Sequence, residues 1–167
     1  MCIYTRLNTA IFHKKGDHLM KNNNEHHHPK KPSPCNCLNI RRASRAVTHF
    51  YDKILQPSGL TISQLSLLKH LKQVEPITIS ELANVMRIDR TTLNRNMKPL
   101  VDHDLITITP GQDPRTRQVM MTPKGTATTN SASQLWDKAQ ASVKDYLGET
   151  DLAVLVKLLS KLEALVP

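Results

Sequence analysis

Thr78-Ile79-Ser80-Glu81-Leu82-Ala83-Asn84-Val85-Met86-Arg87-Ile88-Asp89-Arg90-Thr91-Thr92-Leu93-Asn94-Arg95-Asn96-Met97-Lys98 encodes two helices and the link between them. Thr78 and Glu81 have the spacing of a capping box, in which each side chain satisfies the other's backbone N–H. The box opens a short helix from Ser80 to about Met86, with Leu82, Ala83 and Met86 turned inward. Ala83 is small, as a close helix crossing requires. Arg87-Ile88-Asp89 is a tight link, and Asp89 is placed to cap a second helix running from Arg90 to about His103. Leu93, Met97, Leu100 and Val101 form its apolar face at helical spacing. Pro99 inside this helix removes one hydrogen bond and leaves open a kink or an earlier end.

Downstream, Leu105 to Thr109 alternates as a short strand, Pro110-Gly111-Gln112-Asp113-Pro114 is a turn, and Arg117 to Thr122 is a second strand. The result is a two-stranded hairpin with a basic tip. Thr122 and Pro123 supply a cap and a first-turn proline for a long helix to about Leu147, through Leu135, Trp136, Ala139 and Val143. Its first half is rich in Thr and Ser. Gly148 ends it, and a last helix from about Asp151 carries Leu152, Leu155, Val156, Leu159, Leu162 and Val166. Upstream, Leu38, Ile40, Ala43, Ala46, Val47, Phe50 and Ile54 mark a first helix from about Cys37 to Leu55, closed by Pro57 and Gly59. Thr61 opens another, with Leu65, Leu68 and Leu71 on one face. Trp136, Met86, Met97, Met120 and Met121 read as core. The fold class is mainly α with a small β-hairpin wing: a winged helix-turn-helix over 60–122, carried by helices at 35–57 and 123–166.

This order of elements suits double-stranded DNA. A helix fits the major groove, and its N-terminal residues reach base edges. The second helix offers Thr91, Thr92, Asn94, Arg95 and Lys98 on its polar side. Thr meets the thymine methyl or a hydrogen bond, Asn suits adenine, and Arg suits guanine or phosphate. Ser80 and the free amides at the start of the first helix face a phosphate. On the wing, Arg115 is the first candidate for the minor groove and Arg117 the second. Asp113 is expected to position Arg115 by an ion pair. The last helix spreads apolar residues over more than four turns, more than a small winged unit covers, which points to a homodimer through the first and last helices. A two-fold dimer sets two recognition helices about one DNA turn apart on a pseudo-palindrome.

Ser-Glu-Leu-Ala at 80–83, Asp-Arg-Thr-Thr-Leu-x-Arg at 89–95, Leu105-Ile106, and Asp-x-Arg at 113–115 followed by Thr-x-x-Gly at 122–125 resemble the MarR family of bacterial regulators. The likeness extends to Arg41-Arg42-Ala43-Ser44-Arg45-Ala46-Val47-Thr48 and to Leu135-Trp136, so it covers about residue 35 to the C-terminus. It implies intertwined homodimers that mostly repress transcription and leave DNA on binding a small-molecule effector or on thiol oxidation. It implies an effector pocket between the dimer helices and the winged domain, although no residue names the ligand. In the organic-hydroperoxide-sensing branch a reactive Cys lies in the first long helix. Cys37 falls on that position, Tyr51 on one of the two tyrosines that bind the thiolate, and Arg41 replaces the other.

Composition sets the limits. Among 167 residues, 23 Lys or Arg stand against 14 acids, a formal charge of +9. Residues 1–34 hold six of those bases and two of the acids, so the charge must be judged by where it falls. That segment reads as disordered from its polar Asn, His and Pro runs, and Met20 is an alternative start that the mass of the native protein would identify. Three cysteines, Cys2, Cys35 and Cys37, do not form a secreted disulfide framework. No run reaches membrane-span length and Lys14, Lys15 and Asp17 interrupt any signal peptide, so the expected location is cytoplasmic. Cys35 and Cys37 admit three readings: redox-active thiols with a pKa lowered by the helix start and Arg41, inert thiols, or metal ligands with His26, His27 or His28. His49, His70 and His103 read as surface or interface residues, and no metal or cofactor is expected. Arg41, Arg42 and Arg45 read as a solvated or dimer-pairing face. No hydrolase, zinc-protease, phosphate-loop or dinucleotide motif is present. The expectation is a regulator rather than an enzyme. Its rivals are a thiol- or metal-based redox protein using Cys35 and Cys37 without DNA, and a protein-interaction module of the same fold.

Overall fold

The computed structural model describes residues 31–111, 113 and 115–165. Their order is α1 (Asn36–Leu55), a 3-10 turn (Gln56–Ser58), α2 (Ile62–Val74), β1 (Ile77–Thr78), α3 (Ile79–Met86), α4 (Arg90–Asp102), β2 (Ile106–Pro110), β3 (Arg117–Met121), α5 (Pro123–Leu147) and α6 (Glu149–Glu163). The core gathers around α2, whose Leu65, Leu67, Leu68 and Leu71 are fully buried. Leu67 lies off the face that the periodicity marks. It is buried because α2 is packed by α1, α3, α4, α5 and β3 at once. Leu55, Leu82, Leu93, Leu100, Ile106, Val119 and Ala132 are among the residues that complete the core.

Caps set the element boundaries. Thr61 and Thr78 each form a full capping box, with Gln64 and Glu81. Asp52 reaches from α1 to accept the Ile62 N–H at 2.7 Å. Arg87 closes α3 in the left-handed region at φ 51°. Its N–H bonds Asn84 O and the Ile88 N–H bonds Ala83 O, which turns the chain into α4 within three residues. Pro99 neither ends nor interrupts α4, which continues to Asp102. The Thr- and Ser-rich half of α5 is helical, and its hydroxyls are satisfied by carbonyls four residues back: Thr126 by Thr122 O, Thr129 by Gly125 O and Ser133 by Thr129 O.

Several expectations need correction. The expected hairpin forms from β2 and β3, and β1 adds a third strand to it, in the order β1-β3-β2. Ile77 and Thr78 pair with Val119 and Gln118, and Ile106 pairs with Met121 on the other side of β3. Met120 is not core: it projects from the outer face of β3, while Val119 and Met121 face in. Val101 lies at the edge of the α4 core face and stays exposed. α1 buries only Tyr51 and Leu55 at its lower end, whereas Ile40 and Val47 are exposed. α6 begins at Glu149 and buries no residue. Val166 lies outside the described residues. Of the polar tail, residues 1–30 also lie outside them, but Ser33 is tied down: it exchanges backbone bonds with the Asn39 amide at 2.8 and 2.7 Å. No helix among the described residues is long and apolar enough to cross a membrane.

Candidate nucleic-acid interface

α4 separates two faces. Leu93, Met97 and Leu100 are buried against the core. Thr91, Asn94, Arg95 and Lys98 are exposed, and their spacing of three and four places them in one stripe. Four of the five sequence-predicted residues on this helix therefore share an open polar face. Thr92 does not join them fully. It is half-buried, its N–H donates to Asp89 Oδ1 at 2.8 Å and its hydroxyl to Asp89 Oδ2 at 2.6 Å. Its hydroxyl belongs to the helix cap. Lys98 carries an i,i+4 ion pair with Asp102 at 2.8 Å. Arg90, which the sequence reading left out, opens the helix beside Thr91 and is exposed.

Ser80 is exposed near the start of α3, and the cap is made by Thr78 instead. At the wing, Arg115 and Arg117 are both exposed. Asp113 orders the tip in a way the sequence did not indicate. Its carboxylate accepts the Arg115 backbone N–H at 2.8 Å, and its carbonyl accepts the Thr116 N–H and hydroxyl. The expected ion pair with the Arg115 guanidinium is not among the ion pairs of the described residues. The carboxylate shapes the turn, and the guanidinium is left to project.

This face contains acids, yet each is held by local donors. The Thr78 hydroxyl, then its N–H, keep the Glu81 carboxyl below the ordinary range. The Thr92 hydroxyl, then backbone N–H groups, do the same for Asp89. Asp113 and Asp102 are engaged as described above. Carboxylates bound this way stay ionised and stabilise helix and turn starts.

Three further groups of candidates separate. Cys35 is the N-cap residue of α1 and Cys37 lies in its first turn; both are exposed free thiols. Tyr51 sits fourteen residues beyond Cys37 on the same helix, about 21 Å along its axis. Its phenol is buried, donates to Gln140 Oε1 and has its pKa raised by that burial. Within one chain the structure does not bring Tyr51 to the thiols. Among the described residues no group of three or more His, Cys, Asp or Glu is arranged to hold a metal ion, and His26, His27 and His28 lie outside them. His49 and His103 are exposed, while His70 is half-buried with Nδ1 2.8 Å from Ser66 O. Between α2 and α5 the Lys69 ammonium lies 3.4 Å from the centre of the Trp136 ring. Burial lowers its pKa and Asp137 opposes that shift.

Comparison with known proteins agrees with this geometry. A family profile described as "Helix-turn-helix domain" matches residues 63–109. The uncharacterized HTH-type transcriptional regulator YwoH of Bacillus subtilis is 28% identical over 83 residues, which is 50% of this chain and 61% of that protein. The chain thus spans about three-fifths of this curated relative's length. Among solved structures, the M. tuberculosis transcriptional regulator MosR in complex with DNA is 34% identical, with TM-score 0.68, covering 80% of this chain and 99% of that one. The C80S mutant of E. coli MarR complexed with operator DNA is 25% identical, with TM-score 0.68, over 77% and 91%. With one-third identity over nearly all of one such regulator, and the same winged fold, this chain belongs to the MarR family of winged helix-turn-helix transcription regulators.

Proposed function

We propose that the chain regulates transcription as a homodimer on double-stranded DNA. α4 enters the major groove with Thr91, Asn94, Arg95 and Lys98, and Arg115 on the wing enters the adjacent minor groove, with Arg117 behind it. The observation that carries this reading is the stripe on α4, polar and exposed over two turns while its opposite side is locked into the core. Arg90 extends it toward the phosphates, and Ser80 meets the backbone at the start of α3. The related proteins crystallised with DNA support the same partner.

α6 supports the dimer. A broad apolar helix face has to be covered, yet Val154, Leu155, Val156, Leu158, Leu159 and Leu162 are each at least 40% exposed in the single chain. Ile40 and Val47 on α1 extend the uncovered surface. An exposed apolar area of this kind marks a protein–protein interface, and a second copy satisfies both helices at once. Repression, release by a small ligand or by thiol oxidation, and a cytoplasmic location complete the reading. For oxidation, an organic hydroperoxide converts the Cys37 thiol to a sulfenic acid and leaves as the alcohol. The Cys35 thiol then condenses with the sulfenic acid, releasing water and forming a disulfide.

The test uses a duplex selected by the wild-type chain from a random library. Arg95→Glu and Arg115→Glu should each abolish selective binding, and organic hydroperoxide should release the wild type but not Cys37→Ser. Failure of the wild type to select any duplex would remove DNA as the partner and favour a protein-interaction module, and wild-type binding by both charge reversals would move the interface off α4 and the wing. Binding indifferent to oxidant would leave a ligand-responsive regulator with inert thiols.

A further inference from the structure

The strand that braces the wing is only two residues long. Continuing the β1–β3 register backward from Ile77 opposite Val119 places Glu75 opposite Met121. Pro76 lies between them and has no N–H, and the chain then turns into α2. The β1–β3 ladder therefore stops at Ile77 and does not reach Met121. The Met121 N–H is taken instead by the Glu75 side chain, with Oε2 at 2.5 Å and partly buried. Glu75 is itself fixed as the C-cap of α2, where its N–H bonds Leu71 O at 2.9 Å. The carboxylate thus stands in for the carbonyl that a longer third strand would offer, and a hydrogen bond of this kind is charge-assisted.

We infer that Glu75 is a positioning residue for DNA recognition, clamping the base of the wing to α2 so that Arg115 is aimed. This rests on the proposal that the wing contacts DNA. The lever makes the effect specific. Met121 to Arg117 spans four strand steps, about 13 Å. A 10° swing at the base moves Arg117 by about 2 Å and Arg115 further, enough to break a hydrogen bond to the nucleic acid. The hairpin's other anchors are the Thr122 N–H and hydroxyl on Leu105 O, on the β2 side, and the two-residue pairing of β1 with Val119 and Gln118, which stops short of Met121.

The experiment compares full-length wild type, Glu75→Gln, Glu75→Ala, Arg115→Ala and Glu75→Ala/Arg115→Ala on the selected duplex across a salt series. Arg115→Ala should weaken binding and reduce the salt slope by about one. Glu75→Ala should weaken binding severalfold, by no more than Arg115→Ala does, and reduce the slope likewise. The double variant should be no weaker than Arg115→Ala. Glu75→Gln, which keeps an oxygen acceptor, should recover most of the affinity. Hydrogen exchange should show faster opening of the Met121 amide in Glu75→Ala. Additive losses, or an unchanged slope in Glu75→Ala, would overturn the brace while leaving the wing contact intact. A silent Arg115→Ala would overturn the wing contact itself, and the brace with it. If Glu75→Ala does not fold, Glu75→Gln decides: wild-type exchange at Met121 together with a reduced slope would refute the mechanism.

Discussion

Replacing Gly125 by alanine tests the joint between the winged unit and the long helix. Helix propensity alone predicts a gain, since alanine is favoured over glycine inside a helix by about 1 kcal/mol. The structure predicts the opposite sign. A Cβ at Gly125 would lie 2.0 Å from the Leu105 carbonyl oxygen, 2.9 Å from its carbon and 3.3 Å from its Cα. These are backbone atoms and they have little room to yield. Leu105 is buried and its N–H bonds Leu100 O at 2.8 Å, while its carbonyl accepts the Thr122 N–H at 3.1 Å. Relief requires the start of α5 to back away by more than 1 Å. That stretches the Thr122 bonds to Leu105 O beyond hydrogen-bond range and disturbs the cap from Thr122 to the Gly125 N–H at 2.9 Å. Two bonds at about 1 kcal/mol each, plus about 1–3 kcal/mol of overpacking, outweigh the propensity gain and leave a net loss of about 2–4 kcal/mol. Urea unfolding at fixed protein concentration should show the midpoint lowered by about 1–2 M. A Gly125→Ala protein as stable as wild type, or more stable, would refute the reasoning. Gly148→Ala is the control, because nothing lies within 4 Å of its Cβ position and only its φ of 77° opposes the change.

Leu159→Asp should convert a dimer of twice the 18.9 kDa chain mass into a folded monomer in sedimentation, and an unchanged dimer would move the interface off α6. Asn94→Ala should shift the preferred sequence at one position by about 1–3 kcal/mol of discrimination, read by repeating the random-library selection; an unaltered preference removes Asn94 from the reading face. Thr91→Ala should weaken DNA binding, whereas Thr92→Val should first lower thermal stability, because its hydroxyl belongs to the Asp89 cap. The Asp89 carboxyl is held below its ordinary value by the Thr92 hydroxyl and N–H. A depressed carboxyl stabilises the fold at pH above its unfolded value and loses that contribution as pH falls through the lower folded one. Asp89→Asn should therefore melt below wild type at pH 7, with the gap starting to close below about pH 4 and vanishing only below the depressed folded value. A gap that persists unchanged into acid would show that the cap does not depend on charge.

Much of this molecule was legible in the chain because local rules carry it. The boxes at Thr61 and Thr78, the Asp89 cap, the Thr122-Pro123 start and the periodic leucines each act within one helical turn, so residue order suffices to place every helix and the turn between α3 and α4. The stripe at 91, 94, 95 and 98 follows from periodicity alone. Other features exist only because distant segments meet. β1 is two residues long and acquires strand character from Val119 and Gln118, some forty residues away. Glu75 reads as an ordinary helix-end acid until Met121 is set opposite it. The need for glycine at 125 appears only where α5 crosses the Leu105 carbonyl. Thr92 looks like a free contact in sequence, and its partner Asp89 decides otherwise. Patterning marks which side of α1 and α6 is apolar. Which part of that side a single chain covers depends on how far the winged core extends, and this is set by tertiary packing, because burial is a property of neighbours in space rather than of residue order.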